Sequence, residues 1–309
     1  MNSAKFNLSG GSPTEEQLIE YNNTEINNPT TANYGFIDYQ GPEGLIPDNI
    51  GYVNISYLIN PLEGADKTNE KCHRGPGAIK RLNDILKSFQ QKQGIIIDLS
   101  LSEHGGNPAM VQQIVSYFIP EGTLINTIYN RSTDQQTVYE SVNTLKLDDK
   151  PVVILIGPTT FSGREEIAYD LQQFNKTLDE KEKRFVVMGQ STKGGAHPMS
   201  AFPLMDQQTK EINDKLVLLV PYETSINPIS GTNWEDGPTL EGREPGVQPD
   251  IEIPKDQNAL KAAVEHLSSM IIQQSKPVKL TQRFKEKIRE TKEDGPNLNE
   301  DAENKNLKF

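Results

Sequence analysis

A serine held where a strand turns into a helix is placed for chemistry, and Ser162 stands at such a corner. It falls within "GPTTFSGREEIAYDLQ", residues 157–172, directly after the apolar run "PVVILI". Two roles fit the spacing. A serine at a helix start can accept a hydrogen bond from a free backbone N–H, and Glu165, three residues on, completes the capping-box pattern. A serine hydroxyl at a corner can also act as a nucleophile, given a base to take its proton and N–H groups to stabilise the oxyanion that forms. Two further loops carry such groups. "SEHGG", after "GIIIDL", places Gly105 and Gly106 before a helix start, either as a tight turn or as a cradle of N–H donors. "GQSTKGGAHP", after "RFVVMG", sets Lys193 and His197 around a glycine pair, and each is a candidate base or an ordinary loop residue. Gly163, beside the serine, permits close approach of a substrate, and its N–H can join Gly105 or Gly106 around developing negative charge.

These loops need a scaffold, and the hydrophobic pattern supplies one. "NYGFIDYQ" and "NIGYVNISYLI" alternate as strands do. "PGAIKRLNDILKSFQQ" carries Ile79, Leu82, Ile85, Leu86 and Phe89 at helical spacing. "GIIIDL", "PVVILI" and "RFVVMG" are continuous apolar runs, the mark of strands covered on both faces. Between them lie the helix "NPAMVQQIVSYFI", with Asn107 as cap and Pro108 at its first position, extended pieces around "TLINTIYN" and "QTVYESV", and the Ser162 helix. The alternation predicts an α/β core with several parallel strands. After "GGAHP" the texture turns to hairpins, "SAFPLMD" and "EINDKLVLLVPYET", before a last helix with Leu260, Val264, Leu267 and Ile271 on one face. The expected organisation is a disordered arm over 1–32, a core over 33–275, and a charged, mobile or solvent-exposed tail over 276–309.

Composition excludes several classes. Among 309 residues the net charge is −12, which disfavours nucleic acid and anionic membranes as partners. Cys72 is the only cysteine, so neither an intramolecular disulfide nor a cysteine-rich zinc site is possible. The four histidines, His73, His104, His197 and His266, are scattered, and no metal or other cofactor is expected. No stretch approaches the roughly 20 apolar residues of a membrane span. "MNSAKFNLSGG" lacks the apolar core of a secretory signal, and no localisation follows.

Seven pieces, "NYGF", "NIGYVNISYL", "IIIDLSLSEHGGNPAMVQQIVSYF", "PVVILIGPTTFSGREEIAYDLQ", "GQSTKGGAHP", "INPISGTNWE" and "PGVQPDIEIP", occur in the order found in tail-specific (C-terminal processing) serine peptidases. Over roughly residues 33–270 the chain resembles the branch of that family akin to the modules of interphotoreceptor retinoid-binding protein. The resemblance implies a crotonase-like spiral of ββα units with a hairpin-rich C-terminal part. It implies a peptidase acting on unfolded or C-terminal peptide segments, with Ser162 as nucleophile and the N–H groups of Gly163, Gly105 and Gly106 as oxyanion hole. The acid in "GTNWE" corresponds to Glu235, although the extra residues "DGPTLEGREP" leave Glu241 and Glu244 open for that role. The departures bear on the base. Many relatives carry a lysine where this chain has Gly195, with Lys193 two residues early. The tricorn-like arrangement of Ser, His, Ser and Glu draws its histidine from an upstream helical segment, and the first 33 residues here contain none. His197 and Lys193 are the substitutes near in sequence, and weak hydrolysis is expected. The rival readings are a catalytically silent module that holds a peptide or an apolar small molecule in the same cleft, and, last, a crotonase-type acyl-CoA enzyme.

Overall fold

The computed structural model describes residues 36–38, 45–56, 58, 78–101, 104–205, 212–235 and 245–275. The expected arm over 1–32 and tail over 276–309 lie outside them. Met1–Ile271 forms one compact unit and Ile272–Phe309 a second, of which 272–275 are described as the end of a helix.

Among the described residues the main sheet has six strands. β1 (Phe36–Asp38) pairs antiparallel with β2 (Ile50–Ile55), and β2 continues in parallel through β3 (Gly94–Asp98), β6 (Val152–Ile156), β7 (Phe185–Gly189) and β11 (Ile251–Glu252). Every residue of β3 and of β6 is buried, which is why both read as unbroken apolar runs. The period-2 alternation still sorts their side chains between two cores. On one face Ile95, Ile97, Val152, Ile154 and Ile156 pack with α1 (Ala78–Ser88), α2 (Pro108–Ser116) and α3 (Gly163–Lys176) through Leu82, Met110, Val111, Ile167 and Leu171. On the other, Ile96, Val153 and Leu155 meet Leu260, Ala263, Val264 and Leu267 of α4 (Ala259–Ser275). Helices on both faces of a mostly parallel sheet are what the alternation of apolar strands and helices predicts.

The helix starts follow local chemistry. Asn107 caps α2 by accepting the Ala109 N–H at 2.9 Å, and Pro108 occupies the first turn, where its missing N–H costs nothing. α3 carries Glu165 and Glu166 in its first turn and Lys176 in its last, which complements the helix dipole.

Two pieces differ from the simple α/β expectation. "TLINTIYN" and "QTVYESV" become β4 (Leu124–Asn130) and β5 (Gln135–Glu140), which join β10 (Glu223–Ile226) in a separate antiparallel sheet ordered β10-β4-β5. β11, two residues long, is too short for any periodicity to reveal. The hairpin expectation holds as β8 (Met199–Met205) and β9 (Ile212–Pro221).

α4 covers its face of the sheet closely. Leu267 is fully buried, and its side chain lies where a methyl on Gly94 of β3 would sit. Leu267→Ala is therefore expected to lower stability by about 2–5 kcal/mol. Chemical denaturation should show a lower midpoint at unchanged slope.

Candidate active site

Three loops at the C-terminal ends of β3, β6 and β7 come together, as the ends of parallel strands favour. The central one is the corner after β6. Thr160 closes it: its N–H donates to Gly157 O at 2.9 Å and its hydroxyl to Leu99 O at 2.9 Å, while Gly157 N–H donates to Thr160 Oγ1 at 3.0 Å. The Thr159 hydroxyl donates to Ser100 O at 2.7 Å, a second tie to the loop after β3. Ser162 follows, half-buried, with φ 55° and ψ −127°. That conformation costs a non-glycine residue about 1–3 kcal/mol and survives only where the surroundings enforce it. A strained serine between strand and helix is the geometry that presents a nucleophilic hydroxyl.

The first glycine loop lies against this serine. A methyl added to Gly105 would stand 2.7 Å from Ser162 Oγ, so only glycine leaves the hydroxyl its space. The loop is pinned from the other side, with Leu58 N–H donating to Gly105 O at 3.4 Å and Asn107 N–H to Leu58 O at 2.8 Å. Among the described residues, the N–H groups of Gly105, Gly106 and Gly163 reach no backbone acceptor. Donors left over by the backbone beside a strained serine suit an oxyanion site.

The third loop carries the basic candidates. His197 Nε2 is 3.1 Å from Glu235 Oε2, and its Nδ1 is 3.1 Å from Thr224 Oγ1 and 3.3 Å from Glu223 O. Glu235 Oε1 also accepts the Ala196 N–H at 3.1 Å. Of the three acids considered from sequence, Glu235 meets the histidine; Glu241 and Glu244 lie outside the described residues. Lys193 holds its ammonium 5.4 Å from the centre of the Phe161 ring. Among the described residues no hydrogen bond joins the Ser162 hydroxyl to either base. Gly195, where the resemblance sets a lysine, has the Phe161 ring where a Cβ would go, so a side chain there would have to displace that ring.

Glu165 links the serine corner to the third loop. One carboxylate oxygen accepts Ser162 N–H at 2.7 Å, the reciprocal half of a capping box. The other accepts Gly194 N–H at 2.7 Å and the Thr192 hydroxyl. Burial pushes this carboxyl up from its usual range, against the pull of those three donors. The spacing of Ser162 and Glu165 reveals the cap, whereas the reach of Glu165 to Thr192 and Gly194 has no local signal. Arg164 was also missed: it is fully buried, a rare state for arginine.

Two more acids follow on α3, Glu166 beside Glu165 and Asp170 one turn further along. Glu166 accepts from Asn126 Nδ2 at 2.5 Å, and Asp170 Oδ1 accepts from Asn227 Nδ2 at 2.8 Å. Among the described residues, Asp170 Oδ2 is buried without a hydrogen-bond partner. Burial raises Glu166 to about 7, and burial together with the Glu166 charge raises Asp170 well above the carboxylate range. Among the described residues no group of three or more metal-ligating side chains occurs, and no helix is long and apolar enough to cross a membrane.

A half-buried serine at a strained corner, glycine loops packed against it and a His–carboxylate pair are the kinds of parts from which a serine-hydrolase site is built. Similarity to known proteins shows the family. A family profile, peptidase family S41, matches residues 49–253, and the chain belongs to that family. In fold it is similar to a Bacteroides fragilis protein assigned to the S41 proteases (TM-score 0.51, 14% identity, covering 72% of this chain and 55% of that one). It is also similar to a Parabacteroides merdae protein assigned as a peptidase (TM-score 0.50, 17% identity, 79% and 69%). A Streptococcus agalactiae lipoprotein matches at TM-score 0.50 and 14% identity, over 84% of this chain and 75% of that one. The chain spans little more than half the length of the B. fragilis protein. No curated protein sequence matches it significantly.

Two outcomes follow from this geometry. The native pKa values of Glu166 and Asp170 lie above their unfolded ones, so between about pH 4 and pH 7 the unfolded chain releases protons that the native chain keeps. Their contribution to stability is complete below about pH 4 and is lost as pH rises through the native values. Urea unfolding across that range should show stability falling with pH, and a shallower fall in Asp170→Asn; equal slopes would contradict the assignment. Gly105→Ala should keep its cooperative melt yet react at Ser162 with a fluorophosphonate at least about tenfold more slowly, because the methyl displaces the hydroxyl.

Proposed function

We propose that the chain is a serine-type endopeptidase core acting on unfolded or C-terminal peptide segments, with Ser162 as nucleophile, His197 as base and Glu235 as the acid that orients it. The observation that carries this reading is the strained Ser162 with Gly105 pressed against its hydroxyl. In the reaction Ser162 Oγ attacks the peptide carbonyl carbon, and the hydroxyl proton passes to an imidazole nitrogen. The oxyanion is received by the N–H groups of Gly163 and of Gly105 or Gly106. The acyl-enzyme is then released by water, with the imidazole again handling the proton. Because His197 Nε2 faces Glu235, its Nδ1 must leave Thr224 to take the serine proton. That rearrangement supports weak hydrolysis by this chain.

Family membership supports the peptide substrate, and a net charge of −12 disfavours a nucleic-acid partner. The finer fold reading, a crotonase-like spiral in the retinoid-binding-like branch, draws support from the parallel sheet and from Gly195 in the lysine position. A second reading, a silent binding module using the same cleft, is favoured by one observation: among the described residues no base hydrogen-bonds to Ser162.

A serine-directed fluorophosphonate separates the two. The peptidase reading expects one adduct per chain, on Ser162, absent in Ser162→Ala. It expects His197→Ala to slow labelling and peptide hydrolysis by about 10²–10⁴-fold, the usual share of a general base. A chain that remains unlabelled, with wild type and Ser162→Ala equally inert on unfolded protein, would leave the binding module.

A further inference from the structure

The guanidinium of Arg164 is buried completely and spends its donors on backbone carbonyls from two of the three loops. Nε donates to His104 O at 2.6 Å, Nη1 to Leu99 O at 2.9 Å, and Nη2 to Thr159 O at 3.3 Å. Leu99 and His104 flank the segment that leads to the glycine pair, and Thr159 lies in the serine corner. Asp98, buried at the end of β3, lies near the cation; burial raises its pKa, and the Arg164 charge pulls against that rise. A planar fork with five donors fits this duty; the point charge of a lysine does not.

The consequence lies in peptide geometry. A trans peptide is planar, so its C=O and its N–H point in opposite directions. Fixing His104 C=O onto Arg164 therefore fixes the direction of the Gly105 N–H, which belongs to the same peptide plane. The next plane is fixed in the same way, since Gly105 C=O is held by Leu58 N–H and the Gly106 N–H must point away from Leu58. Arg164 is itself the second residue of α3, two positions after Ser162, so it references the glycine loop to the helix that carries the serine.

We propose that Arg164 is a positioning residue for the oxyanion site: by holding His104 C=O it aims the Gly105 N–H toward the space above Ser162 Oγ. This rests on the serine-peptidase reading for its catalytic consequence, while the orientation of the peptide plane stands on its own. Through these three bonds Arg164 acts on the loops and not on the Ser162 hydroxyl itself. Its effect falls on the stage where negative charge develops, so it appears in kcat and in the rate of Ser162 phosphonylation rather than in KM.

The test compares the full chain with Arg164→Lys and Arg164→Gln. Expected are a cooperative melt in at least one variant, Ser162 labelling by a fluorophosphonate slowed about 10- to 100-fold, and a fall in kcat for a peptide substrate at unchanged KM. The lysine variant should not rescue the rate, although it restores the charge. Amide exchange gives a second readout that needs no activity: the Asn107 N–H, which anchors the loop to Leu58, should exchange faster in a folded variant than in the wild type. Wild-type labelling in a folded variant, a loss confined to KM, or rescue by lysine overturns the proposal. If the wild type itself does not label, the peptidase reading fails. The Arg164 assignment then stands or falls on the exchange of Asn107, with acceleration supporting it and no change overturning it. Loss of the cooperative melt in both variants overturns it too, since Arg164 would then serve the scaffold as a whole.

Discussion

One buried carboxylate joins the parts of this site that lie far apart in sequence. Glu165 receives the N–H of Ser162 on one oxygen, and the N–H of Gly194 with the hydroxyl of Thr192 on the other. Burying a carboxylate is costly unless its lone pairs find donors, so the three donors and the acid require each other. Remove the acid, and the strained corner loses a restraint while the third loop loses the group that fastens it to α3. The chain of contacts runs further, because Thr192 Oγ1 accepts Val247 N–H at 2.7 Å and Thr192 N–H donates to Val247 O at 3.2 Å. Glu235 completes the fastening at the far end of the loop through Ala196 and His197. Placement of the histidine thus depends on two acids that hold the loop from opposite sides.

The same helix is tied to the small sheet by a second buried set. Asn126 of β4 donates both to Glu166 at 2.5 Å and to the Ser225 hydroxyl of β10 at 2.7 Å, and Asn227, just past β10, donates to Asp170. β10 also supplies Thr224 and the Glu223 carbonyl to His197 Nδ1. The helix that begins after the serine and the strand that cradles the histidine are therefore joined by hydrogen bonds rather than by apolar contact alone. Hydrogen bonds are directional and apolar packing is not, so a polar joint suits parts that must hold a register.

Much of this was legible in the residues, and the reasons are local. β3 and β6 declare themselves as apolar runs, Asn107–Pro108 marks the start of α2, and Ser162 with Glu165 marks the start of α3. Gly105, Gly163 and Ser162 could be grouped because their loops follow neighbouring apolar strands. His197 and Glu235 are 38 positions apart, and the structure places their side chains in contact. What stayed hidden is long-range. Arg164, Glu165, Glu166 and Asp170 are charged residues of one helix, and nothing in their spacing announces that all four are buried. Such residues enter a core only where partners wait for them, and those partners, His104 O, Thr192, Asn126 and Asn227, come from other elements. The pairing of β4 with β10 is invisible for the same reason: nearly a hundred residues separate strands that share one ladder.

If Glu165 couples the nucleophile to the base, the effects of removing Glu165 and His197 cannot be independent. A double-mutant cycle on the rate of Ser162 phosphonylation, with Glu165→Gln, His197→Ala and the pair, reads that coupling directly. The account predicts strong non-additivity: once Glu165 is replaced, His197→Ala costs little more, because the imidazole has already lost its place. Additive losses in folded variants would show that the two residues act separately, and would contradict the account.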